Sequence, residues 1–407
     1  MKLCFVKLGY RFAWNSSVTT GTNAELIRII QLLHDHRPDI ELHFMTGIFA
    51  DDENPEWLIM HDIDKEWQNV NNFGFDALLI HNGNLTFFAG KEYPYRIKNH
   101  ALINIFKGPV FYIHMDYHIT LKQCWSQVEK KRWRNNWKKE ELYIQRDDII
   151  YITESYNTQY IHQMVNRGSL KVPIKLENIH YFRFDISPIY FYKKFDIIEN
   201  PSVDLIYGGT MRSNRRITKM GTYFYGYDPS IIVELFGKLE KDEIIERYEE
   251  LKVQNIKKLK SKGKIQEAEK LEKLTLNDIN KPIYSEALEM DKYLSKMNNA
   301  IATINLNDKE SEGVFIPPRI YEAISVAIVV FVDIDTDPFH IIYKDDSLLE
   351  SFNYIHSPKE LENKLLYLKN NPSFRKEIIK RQFDLIDKLD DRITYINKFV
   401  DIIKNNI

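Results

Sequence analysis

The segment from Val203 to Met220, VDLIYGGTMRSNRRITKM, spaces glycines and arginines in a way that could hold a diphosphate. Val203 to Tyr207 is a short apolar run that reads as a buried strand. Gly208 and Gly209 then permit a tight turn and close backbone approach. Thr210 or Ser213 can cap the following helix, on which Arg212 and Arg216 stand four residues apart. Free N–H groups at a helix start, joined by two guanidinium forks, match phosphate oxygens in charge and geometry. The local pattern fits an ordinary strand–turn–helix with solvated arginines equally well.

Other segments offer matching chemistry. In GVFIPPRIYEAIS (313–325), Pro318 suits a first helical turn, and Arg319 and Glu322 share a face. The arginine could meet phosphate while the carboxylate takes the two ribose hydroxyls. An intrahelical ion pair is the competing reading. PVFYIHMDYHI (109–119) puts Asp116 at the carboxyl end of a strand, the position of a general base facing a cleft. His114 and His118 flank it, which opens a metal reading, H-x-D-x-H, that only geometry could support. EKKRWRNNWKKE (129–140) interleaves basic residues with Trp133 and Trp137, as surfaces that bind phosphates and stack bases do. A solvated basic helix would look the same.

Strands and helices must position these groups, and their rhythm is legible. LCFVKLG (3–9), IELHFMTG (40–47), DALLIHN (76–82), PVFYIHMD (109–116) and DIIYITES (148–155) read as strands, with an amphipathic helix at 24–36. Residues 171–200 read as an irregular linker. A second alternation starts at Val203, with strands in IIVELFG (231–237), AIATINLN (300–307) and AIVVFVD (327–333). Amphipathic helices at 358–369 and 373–406 close the chain. The Lys/Glu-dense stretch 238–275 keeps helical spacing and breaks near Ser261–Lys264, which predicts a solvated helical hairpin. The expected class is α/β, two facing Rossmann-like domains whose cleft would hold a nucleotide against the second domain. The expected boundaries are 1–187, 188–375 with the hairpin inside, and a terminal helix over 376–407 that packs back on the first domain.

Composition narrows the class. The 407 residues are 44% hydrophobic and 28% charged with net charge −2, so no global field draws the chain to nucleic acid or membrane. Any polyanion contact must be a local patch. Two cysteines, Cys4 and Cys124, are too few for a disulfide framework, and the first residues read as a strand rather than a signal segment. The expectation is a cytoplasmic, soluble monomer with no membrane partner.

Taken together, these segments resemble the DNA β-glucosyltransferases of T-even bacteriophages. LIYGGTMRSNRRITKM follows the family pattern IYGGSxRSxxRxxKM, and FIPPRIYEAI follows F-I-x-x-R-x-x-E. Asn82 to Lys91 carries N-x-x-x-x-F-F-x-G-K, and Asp116 is followed by Trp125, all in the family's order. The resemblance implies the GT-B fold, an inverting transfer of glucose from UDP-glucose, and an acceptor hydroxyl on a hydroxymethylated pyrimidine in double-stranded DNA. It implies that Gly209, Thr210, Arg212, Arg216 and Arg319 seat the UDP phosphates. Glu322 would hold the ribose, the backbone of Leu288 would read uracil, and Asp308 would line the donor site. Asp116 would be the general base, and Phe88 and Arg132 would enter the duplex or fill the gap left by a flipped base. It also allows Mg2+ or Mn2+ to assist UDP departure, although no ligand cluster is evident in the sequence.

Two departures stand out. The family's sugar-contacting acidic residue aligns with Thr22, with Glu25 merely near, so that role is not carried over and the donor sugar stays open. The 238–275 insertion is foreign to the pattern. VDIDTD (332–337) resembles the DxD signature of metal-dependent transferases of a different fold, but reads here as a simple acidic turn. A GT-B enzyme with another donor or acceptor (a sugar already on DNA, a glycan or a small molecule) and a non-catalytic DNA-binding protein of the same fold remain as rivals.

Overall fold

The computed structural model describes residues 1–7, 22–46, 54–81, 102–114, 146–159, 162, 175–186, 193–210, 214–225, 227–238, 241–273, 282–286, 288, 290–306 and 316–407. The chain divides into two units, Met1–Phe191 with Asp390–Ile407, and Tyr192–Leu389. The division thus falls beyond the expected 187 and 375. The expected terminal helix is two helices, Pro372–Leu389 in the second unit and Arg392–Lys404 in the first. The break has a local cause: Asp391 caps the last helix by accepting from the Thr394 N–H at 2.9 Å.

In the first unit, the described strands are β1 (Lys2–Lys7), β2 (Glu41–Thr46), β3 (Ile59–Asp62), β4 (Ala77–His81), β5 (Val110–His114), β6 (Ile150–Thr153) and β7 (Ile179–Tyr181). They form one parallel sheet in the order β3-β2-β1-β4-β5-β6-β7. Strands flanked by helices are buried on both faces, so apolar runs such as Leu3–Val6 and Ala77–Ile80 form the core. Helix α1 (Thr22–His36) buries Leu26, Ile29, Ile30 and Leu33, one stripe at helical spacing. The edge strands β3 and β7 were not anticipated, and β7 lies within the stretch read as a linker.

The edge of this sheet carries a polar chain with two buried histidines at its centre and two more-exposed carboxylates at its ends. His43 on β2 and His61 on β3 are 3% and 7% exposed, and their Nδ1 and Nε2 atoms meet at 2.8 Å. The outer nitrogens meet Glu41 and Glu66, each at 2.7 Å. Phe73 and Phe75 pack against the rings.

In the second unit, the sheet contains β8 (Val203–Thr210), β9 (Val233–Lys238), β10 (Ile283–Ser285), β11 (Ala300–Asn305), β12 (Val329–Asp333) and β13 (Tyr354–Ile355). All pair in parallel in the order β10-β9-β8-β11-β12-β13. Helix α2 (Asn214–Tyr223) follows β8. The charged insertion is the expected hairpin, α3 (Lys241–Ser261) and α4 (Ile265–Lys273), turned at Gly263 with φ of 73°. Helices α5 (Met290–Asn298) and α6 (Arg319–Ser325) precede β11 and β12. Both sheets have the doubly wound order in which the first strand lies between the second and the fourth. In such sheets ligands bind outside the carboxyl ends, where the order reverses. In the second unit that point lies between β8 and β11.

Candidate functional site

The carboxyl end of β8 is built for close approach. Gly209 pairs in register with Gly237 on β9. A Cβ on Gly237, whose φ is 127°, would lie 1.9 Å from the Gly209 carbonyl oxygen, so only glycine fits. Gly208 faces the opposite way, and a Cβ there would lie 2.5 Å from the Tyr293 ring and 2.6 Å from that of Phe236. The glycine pair therefore lets two aromatic rings and a neighbouring backbone press against the strand end.

Arg319 opens α6 directly behind Pro318 and donates from Nη1 to the Gly208 carbonyl at 3.3 Å. The same atom lies 3.3 Å from the direction in which a Gly209 Cβ would project. Gly209 and Arg319, distant in sequence, thus meet at the switch point. A crevice beside them is lined by Tyr207, Gly208, Tyr293, Asn305, Arg319 and apolar residues of β11 and α6. Glu322 stands one turn further along α6, half-buried.

The remaining expected residues fall partly within the described residues. Thr210 ends β8, and Arg216 lies on α2. Leu288 is 36% exposed between β10 and α5. Asp116, Phe88, Arg132, Arg212 and Asp308 lie outside the described residues, as do the 129–140 segment and His118.

Sequence reasoning missed several residues here. Lys219 of α2, buried, pairs with Asp333 at 2.5 Å and with Asp335 at 3.5 Å. Removing either member of the close pair would strand a buried charge. The acidic VDIDTD turn therefore anchors the helix that carries Arg216. Burial, together with the Asp333 and Asp335 charges, pushes the Tyr223 hydroxyl well above its ordinary range. Asp337 of the same turn is fully buried and accepts from the Ile342 N–H at 2.8 Å and the Tyr354 hydroxyl at 2.5 Å. Tyr207 and Asn305 also went unread; they stand two residues before Gly209 and at the end of the neighbouring strand.

The family profile described as Bacteriophage T4 beta-glucosyltransferase matches residues 60–193. The DNA beta-glucosyltransferase of Enterobacteria phage T4 is 24% identical over 330 residues, covering 80% of this chain and 81% of that one. The chain resembles this phage enzyme along most of its length. A crystal structure of the DNA-modifying enzyme β-glucosyltransferase, solved in the presence and absence of its substrate uridine diphosphoglucose, superposes with a TM-score of 0.70 at 18% identity. That match covers 99% of this chain and 100% of the other. An α-glucosyltransferase bound to UDP and a 13-mer DNA containing an HMU base gives a TM-score of 0.55 at 11% identity, covering 99% of both chains. The shared fold bears out the α/β, GT-B class with its two Rossmann-like parallel-sheet domains.

Among the described residues, no helix is long and apolar enough to cross a membrane. Among them, too, no three His, Cys, Asp or Glu side chains gather where they could hold a metal ion.

Proposed function

We propose that this chain transfers glucose from UDP-glucose to the hydroxyl of a hydroxymethylated pyrimidine in duplex DNA, with inversion at the anomeric carbon. The observation that carries the reading is the meeting of Gly208, Gly209 and Arg319 at the switch point of the second sheet. The likeness to a phage DNA glucosyltransferase supports it. A guanidinium beside a strand end without side chains is suited to a phosphate that must approach backbone closely.

In this reading Arg319, with Arg212 and Arg216, neutralises the charge that grows on UDP as it departs. Thr210 adds a hydroxyl at the same strand end. Glu322 takes the ribose hydroxyls, the Leu288 backbone reads uracil, and Asp308 lines the donor site. Asp116 accepts the proton of the acceptor hydroxyl as its oxygen forms the new bond to the anomeric carbon. The bond from that carbon to the β-phosphate oxygen breaks, and UDP leaves with the electron pair. A hydroxyl on a stacked base cannot reach an enclosed site, so the acceptor is turned out of the helix. Phe88 and Arg132 would fill the space it leaves. The described residues offer no ligand set for Mg2+ or Mn2+, and no step here runs through a metal.

The test is mass spectrometry of hydroxymethylcytosine and hydroxymethyluracil DNA after incubation with a panel of nucleotide sugars. A hexose mass gained from UDP-glucose on either base supports the reading, and transfer only to a glycan or small molecule refutes it. General-base help typically contributes ~10²–10⁴-fold, so Asp116→Ala should lose that much turnover while retaining UDP binding.

A further inference from the structure

One group at the switch point has no role in the reading above. Tyr207 is 2% exposed, and its hydroxyl has no hydrogen-bond partner among the described residues. A buried, unsatisfied hydroxyl costs about 1–3 kcal/mol, and such a group calls for a specific explanation, of which an absent binding partner is one. Its position is specific. Tyr207 and Gly209 stand two apart on β8 and therefore face the same side of the sheet. The Tyr207 hydroxyl lies 3.3 Å from the place a Gly209 Cβ would take, as does Arg319 Nη1. The ring is wedged against Phe224, with centroids 5.1 Å apart, which fixes the hydroxyl under the glycine.

Two donors of this kind, each 3.3 Å from the same spot beside a glycine, suit an oxygen that only accepts. A phosphate oxygen is such an atom, and a sugar hydroxyl could meet the guanidinium only through its lone pairs. A second buried atom in the same crevice is also unsatisfied. Asn305 is 3% exposed, and its Oδ1 has no partner among the described residues. This crevice thus holds unspent hydrogen-bonding capacity, whereas Lys219 and Asp333 of the same unit meet each other and Asp335.

We infer that the Tyr207 hydroxyl is a further phosphate-binding group, donating to the diphosphate oxygen that Arg319 also holds over Gly209. The inference rests on the UDP-sugar reading of this site. Tyr207→Phe removes one oxygen and leaves the ring packing in place. Calorimetry with UDP and with uridine, and thermal unfolding of the ligand-free protein, read the consequences. UDP affinity should fall about tenfold in the variant, as for a lost hydrogen bond to a charged group. Uridine affinity should stay unchanged, and the unliganded variant should unfold at or above the wild-type temperature because an orphaned group is gone. Equal UDP affinity in both proteins, or an equal loss for uridine, overturns the inference but leaves the donor reading intact. A lower unfolding temperature also overturns it, since the hydroxyl would then be bonded within the protein. Failure of wild type itself to bind UDP sinks both. In wild-type protein labelled at tyrosine, the Tyr207 ring-carbon resonance should move with UDP and not with uridine; an unmoved signal refutes the contact without any substitution.

Discussion

Two polar regions with buried members behave in opposite ways. In the first unit the Glu41–His43–His61–Glu66 chain is closed, because each of its four ring nitrogens has a partner within 2.8 Å. In the second unit the crevice at β8 and β11 leaves the Tyr207 hydroxyl and the Asn305 side-chain Oδ1 without partners among the described residues. A closed network spends its hydrogen bonds on holding edge strands together. An open one carries a folding cost that a ligand can remove. The contrast teaches that buried polarity alone does not point to a ligand; what sets the crevice apart is that its unpartnered atoms stand beside Arg319 at the switch point.

The sharpest way to break this contrast is Arg319→Ala. Loss of a charge-assisted contact to phosphate should weaken UDP binding about a hundredfold, near 2.7 kcal/mol, and loss of the bond to the Gly208 carbonyl should lower the unfolding temperature as well. Unchanged affinity by calorimetry would remove the crevice from the donor site. The reciprocal change is His61→Phe, which leaves His43 Nδ1 and Glu66 without their ring partner. It should cost about 1–3 kcal/mol of stability in chemical denaturation and leave UDP affinity as it was. A loss of affinity there would join the two regions that the contrast separates.

A smaller effect comes from pH. Burial holds His43 below its ordinary value of 6.5, against the opposing pull of its hydrogen bond to Glu41. Just below that pH the unfolded chain therefore binds more protons than the folded one. The His43 contribution is full above the unfolded value and is lost as pH falls through it toward the lower folded value. Burial shifts His180 in the same direction. The unfolding temperature should fall between about pH 7.5 and 5.5, and His43→Gln should flatten that slope in part. An unfolding temperature that rises on acidification would contradict the assigned direction.

Much of this was readable beforehand, and the gaps have physical causes. The long apolar runs gave strands at the expected places because doubly covered parallel sheets need continuous apolar segments. The short edge strands β3, β7, β10 and β13 were not anticipated. They have two to four residues each, too few to show a period. The break between the last two helices was legible in principle, since Asp391 precedes Thr394 by three residues as a cap should. Gly208, Gly209 and Arg319 stood out by residue type. Tyr207 and Asn305 did not, because whether a polar atom finds a partner depends on neighbours remote in sequence. Lys219 went unread for the same reason, its partner Asp333 lying more than a hundred residues away.

The inserted hairpin has a consequence for the helix that bears Arg216. A Cβ on Gly221 of α2 would lie 3.2 Å from the Tyr248 nitrogen of α3, so the two backbones nearly touch. Tyr225 and Tyr248 stack beside that contact with centroids 5.2 Å apart. The hairpin therefore acts as a splint clasped to α2 rather than as an appendage. Excising it would bare Gly221 and loosen the grip on that helix, so a shortened protein would need a new cover there.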